Sequence, residues 1–183
     1  MTASLAAAVR RVGLSDVEVE AVGRAHALAM EPRIAKLDDD HHPAYLHPGR
    51  SALILLQDVG RVDAAVLTVA VLHESIDSAL RIPAERVREQ LGEVAVNVLE
   101  GIPRPGDDRL IETLVTLGPG VGLAALAERL DHIRHLHMRE DLMDSWADAY
   151  GEVLVAWLPF AQRSHPRLAT RYEHWARTFV KRI

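Results

Sequence analysis

No cysteine occurs among the 183 residues. Disulfides and thiolate metal sites are excluded, so any metal must be held by histidine and carboxylate. Aromatic residues make up only 4% of the chain, which leaves Leu, Val, Ala and Ile to build the core. No apolar run reaches the roughly 18 residues needed to span a bilayer, so no membrane partner is expected. Excess positive charge is missing too. The formal charge is -5 and the pI near 6.0, which argues against a nucleic-acid partner but not against a small anion held by a few local cations. Met1 to Leu14 lacks the charged region, apolar core and cleavage signal of a secretory peptide, so a cytoplasmic location is expected. Sustained alternation with β-branched enrichment, the mark of strands, is also absent.

What is present is a helical pattern from end to end. Hydrophobic residues at 49% and charged residues at 26% form an ordinary globular balance. The length suits one domain, residues 1–183, with one core. Ser15 and Glu18 form a capping-box signal for a helix from Asp16 to about Leu37, bent or broken at Pro32. Asp38 to Pro48 reads as a polar loop. Helices are then expected from Gly49 to Val59, after an Asp63 cap, from Pro83 to Gly92 and from Glu93 to Leu99. Asp108 reads as a further cap, for a helix to Leu117. Gly118-Pro119-Gly120-Val121-Gly122 reads as a breaker before a helix from Leu123 to His137. It lacks the Gly-Lys-Ser/Thr ending of a phosphate loop. A long helix from Asp141 to Ser164, kinked at Pro159, and a last one from Pro166 to Val180 complete an all-α chain of about eight helices.

His73 and Glu74 close the apolar run Val66-Leu67-Thr68-Val69-Ala70-Val71-Leu72. Charged groups against such a stretch must find partners, because an unpaired buried charge is costly. His47 stands at the mouth of one helix, and Glu128 interrupts the small apolar face Leu123-Ala124-Ala125-Leu126-Ala127. Two imidazoles and two carboxylates, His47, His73, Glu74 and Glu128, suit a divalent ion such as Mn²⁺, Fe²⁺ or Mg²⁺, which would make water nucleophilic near neutral pH. Spacing alone leaves the bland readings open: hydrogen-bonded core histidines and rim carboxylates paired with Arg129 or Arg134.

Four blocks carry a resemblance to a known family. Pro43-Ala44-Tyr45-Leu46-His47-Pro48 resembles the "PYxxHP" segment of HD-domain phosphohydrolases of the RelA/SpoT-homologue group. Val71-Leu72-His73-Glu74-Ser75-Ile76-Asp77 resembles their "LLHDxxED". The stretch from Leu126 through Glu128-Arg129-Leu130-Asp131-His132 to Leu136 is similar to "LADRLHNMRTL", and Trp157 to Arg163 to "YxPLAxR". Order and separations are family-like, and the length is that of the small alarmone hydrolases.

The resemblance implies an HD-domain helical bundle that removes the 3'-pyrophosphate of guanosine tetra- or pentaphosphate, or acts on a related nucleotide. It implies Mn²⁺ on His47, His73, Glu74 and Glu128, with Glu74 and Asp77 acting on the attacking water. Arg33, Lys36, Arg129 and His132 would contact the substrate, and a homo-oligomer is compatible with all of this. Several family positions are changed. Glu74 and Glu128 replace Asp, Ser78 replaces the second member of the acidic pair, and Asp131-His132 replaces His-Asn. A second outcome therefore stays open: an HD domain that binds a nucleotide or a protein without hydrolysis.

Overall fold

The computed structural model describes residues 3–34, 46–60, 62–76, 81–103 and 108–183. Among these residues the chain is all helix, with no strand. The order is α1 (Ala3–Arg11), α2 (Asp16–Ile34), α3 (His47–Ile54), α4 (Ala64–Leu72), α5 (Ala84–Leu91), α6 (Glu93–Gly101), α7 (Leu110–Leu117), α8 (Pro119–His135), α9 (Trp146–Glu152), α10 (Leu158–Ser164) and α11 (Pro166–Phe179). Short π-helical turns extend α3 (Leu55–Val59) and α9 (Val153–Trp157), and a 3₁₀ turn, His73–Ile76, extends α4.

The centre of the molecule is α4 and α8, which pack on each other and both pack on α3. On α4, Leu67, Val69, Ala70, Val71 and Leu72 are all buried. The helix is therefore apolar around its circumference, and packing overrides the weaker helix preference of its valines. Around this centre α2 lies against α4, and α11 covers α8.

Two side chains fasten α11 to the backbone of α8: Tyr172 donates its hydroxyl to the Leu126 carbonyl at 2.8 Å, and Trp175 donates Nε1–H to the Ile133 carbonyl at 2.7 Å. Buried aromatic residues with a polar end need such partners. Asp58, on the turn after α3, accepts two hydrogen bonds from Arg171 of α11.

Local signals explain most boundaries. The backbone N–H of Ser15 donates to Glu18 at 2.7 Å, and the Glu18 N–H reaches back to Ser15 Oγ at 3.4 Å. The capping box is thus formed. The chain leaves the turn after α3 at Gly60 with φ 92°, where a side chain would be strained.

Other expectations need correction. The Gly-rich stretch breaks the chain only at Gly118 (φ 106°); Pro119 already occupies the first turn of α8. The glycines that follow serve packing. A Cβ on Gly120 would lie 2.7 Å from Val66, and one on Gly122 would lie 2.8 Å from Phe160. Asp63 precedes α4 without a side-chain cap, and α7 is preceded by Arg109 rather than Asp108. The disturbance from Pro159 falls upstream, in the π turn Val153–Trp157, because a proline can neither donate to the helix ladder nor fit its regular turn. Pro32 is held inside the last turn of α2.

Candidate metal centre

Three segments converge where α3, α4 and α8 meet. His47 opens α3, and Pro48 follows it in the first turn, where a missing N–H costs nothing. The 3₁₀ turn after α4 presents His73 and Glu74. Glu128 and His132 lie four residues apart on α8, hence on one face of that helix.

Ligand-capable atoms of His47, Glu74, Glu128 and His132 all lie within 4.8 Å of one another. His132 Nε2 is 2.9 Å from Glu74 Oε1 and 2.8 Å from Glu128 Oε1. His47 Nε2 is 3.8 Å from an oxygen of each carboxylate. The rings of His47 and His132 lie 4.3 Å apart, tilted by 35°. His73 stands at the edge, its Nδ1 3.7 Å from Glu128 Oε2. Its Nε2 is buried without a hydrogen-bond partner.

The electrostatics follow from this crowding. Burial opposes charge on Glu74, but the His132 hydrogen bond and the charges of His47, His132 and Arg33 prevail and hold its carboxyl at about 2. Glu128 is depressed as well, burial again being overcome by the surrounding histidines. Burial favours the neutral ring in His132, yet the two carboxylates raise it to about 10. His73 is lowered, because burial outweighs the pull of Glu128. Two ionised carboxylates at this spacing need positive charge beside them, which His132 and Arg33 supply here and which a divalent ion could also supply. A buried imidazole nitrogen left unpartnered, in a donor set of nitrogen and oxygen only, fits a divalent first-row ion.

The remaining expected residues fall in different places. Arg33 is buried, at 2% exposure. It pairs with Glu74 and donates to the Ala29 carbonyl at 2.7 Å. Arg129 does not join the cluster. Its guanidinium pairs with Glu152 and lies 5.9 Å from the centre of the Trp157 ring. Asp77 and Lys36 lie outside the described residues.

Two residues outside the expected set belong to the surroundings of the site. Asp131 is fully buried and accepts from His47 Nδ1 at 2.8 Å, and Arg50 Nε lies 3.0 and 2.9 Å from its two oxygens. Sequence offered one signal here, since Asp131 and His132 follow Glu128 at i+3 and i+4. It could not say which partner Asp131 would meet.

The architecture is that of an all-α HD-domain fold. It is similar over 90% of this chain, and 96% of the other, to a solved structure described as a metazoan orthologue of SpoT that hydrolyses ppGpp and plays a role in starvation responses, with a TM-score of 0.65 and 17% identity. No family model matches the chain, and no curated protein matches it.

Proposed function

We propose that this chain is a single-domain, cytoplasmic, metal-dependent phosphohydrolase acting on guanosine tetra- or pentaphosphate or a related nucleotide. The observation that carries the reading is the convergence of His47, Glu74, Glu128 and His132 within 4.8 Å, from three helical segments of an HD-type fold. The similar structure described as hydrolysing ppGpp supports the substrate class.

In this reading His47, His73, Glu74 and Glu128 hold the ion, with His132 beside them. When bound, a divalent ion such as Mn²⁺ supplies Lewis acidity and lowers the pKa of water. The chain's own groups do the rest. Glu74 and Glu128 provide the negative charge that retains the ion. Arg33, buried against Glu74, holds one oxygen of that carboxylate and so fixes its direction, and Lys36 serves the substrate phosphates. Asp77 takes the proton from the attacking water. Glu74 reaches the centre from a tightened 3₁₀ turn rather than a continuing α-helix, and Glu128 from the face of α8. Arg129, turned toward Glu152, is left a structural role.

The test is metal analysis of the purified protein, followed by phosphate or pyrophosphate release from a nucleotide panel with Mn²⁺ added. Wild type is expected to bind about one equivalent and to turn over a 3'-pyrophosphorylated nucleotide. His73→Ala and Glu128→Gln should each lower turnover by at least ~100-fold. Full turnover by a metal-free protein would overturn the reading.

One observation favours a second reading. His132 Nε2 already bridges both carboxylates at hydrogen-bond distance. An imidazolium there can replace the ion, leaving a domain that binds a nucleotide without hydrolysing it. A protein that binds guanine nucleotides but neither metal nor water as a reactant would support it.

A further inference from the structure

Asp131 is the one fully buried carboxylate among the described charged side chains, at 0% exposure. A charge so placed is costly unless it is paired and hydrogen-bonded. Its partners are specific. One oxygen receives His47 Nδ1 at 2.8 Å, and Arg50 Nε, one turn along α3 from His47, contacts both oxygens at 3.0 and 2.9 Å. His135 Nδ1 lies 3.7 Å from the other oxygen and bonds the Asp131 carbonyl at 2.7 Å. Residues 47 and 131 are far apart in the chain, so the contact exists only through the packing of α3 on α8.

The geometry points to Asp131 as the positioning residue of His47, with Arg50 holding Asp131 in turn. This inference rests on the proposed reading of the site as a metal centre. A carboxylate can only accept a hydrogen bond, so its contact requires the proton of a neutral His47 ring to be on Nδ1. Nε2 is then a bare lone pair, and it is this atom that faces Glu74 and Glu128 at 3.8 Å.

With Nε2 bare, the Ser51 hydroxyl has two acceptors for its one proton, the His47 carbonyl at 3.1 Å and Nε2 at 3.3 Å. Asp131 thus selects the tautomer that can ligate and stops the ring from turning. Ligand histidines commonly have such an outer carboxylate, whose loss costs about 10- to 100-fold in metal affinity. Arg50 supplies the opposite charge that makes a buried Asp131 tolerable, so it is withdrawn from any phosphate-binding duty.

The experiment compares wild type with Asp131→Asn and Asp131→Ala by Co²⁺ titration, the visible Co²⁺ spectrum, and ¹⁵N-edited NMR of the histidine rings in metal-free protein. Wild-type His47 should carry its proton on Nδ1 without any metal. Both variants should bind Co²⁺ about 10- to 100-fold more weakly, with an altered spectrum. Wild-type affinity and spectrum in a folded variant would overturn the inference. So would a wild-type His47 protonated on Nε2, a measurement that holds even if neither variant folds. If wild type binds no Co²⁺, the reading of the site fails and the inference falls with it, whereas the first two outcomes leave the metal centre intact.

Discussion

His26 shows how much a single side chain can report. It lies on α2, 4% exposed, with Nδ1 unpartnered. Burial above all, with the Arg33 charge adding to it, lowers its pKa from 6.5 to about 4. Between those values the unfolded chain binds more protons than the folded one. The stabilisation is therefore complete above pH 6.5 and drains away as pH falls toward 4. Denaturant unfolding of wild type and His26→Phe at pH 7 and pH 4.5 should differ by about 1–3 kcal/mol in pH dependence, wild type losing more. Equal losses would show that His26 is solvated. The charges of the metal centre illustrate what sequence can and cannot supply at this scale. Glu74 and Glu128 stood out as candidate ligands because they interrupt apolar helical runs, and His47 through the resemblance of its segment to a family motif. The His47–Asp131 contact did not, since no local pattern links α3 to α8.

At the level of elements, helix faces are legible and helix contacts are not. The periodicity of α11 and the capping box of α2 follow from side-chain spacing and local hydrogen bonding. The start of α8 does not, because Gly120 and Gly122 read as breakers until Val66 and Phe160 are seen pressed against them. Gly120→Ala tests this. An exposed helical Gly gains up to ~1 kcal/mol on substitution by Ala. Here the new methyl would meet Val66 at 2.7 Å, and a β-branched helical side chain has little freedom to move aside. Net destabilisation of about 1–2 kcal/mol is expected in urea unfolding, since overpacking exceeds the propensity gain. A stabilised variant would mean that α4 and α8 separate freely.

Over the whole molecule, the candidate site joins segments that otherwise meet only through packing: the start of α3, the turn after α4 and the face of α8. A ligand that binds only the folded chain stabilises it by about 2.7 kcal/mol at a hundredfold excess over Kd. For a chain of this size that corresponds to a rise of roughly 5–10 °C in the unfolding midpoint. Added Mn²⁺ should produce this rise in wild type and not in His73→Ala. An unshifted wild-type midpoint would remove the ion from the account. No described helix is long and apolar enough to cross a membrane.

By itself the sequence determined the all-α class and the positions of most helices, which are consequences of periodicity and of residue chemistry acting over a few neighbouring positions; His47, Glu74 and Glu128 were joined as one candidate set by the family resemblance. Tertiary structure alone decided that His132 stands between the carboxylates and that His73 lies at their edge. It also turned Arg129 to Glu152 and buried Asp131 against His47. Those outcomes depend on how closely α3, α4 and α8 approach, and that distance is set by small side chains such as Gly120 meeting residues remote in the chain.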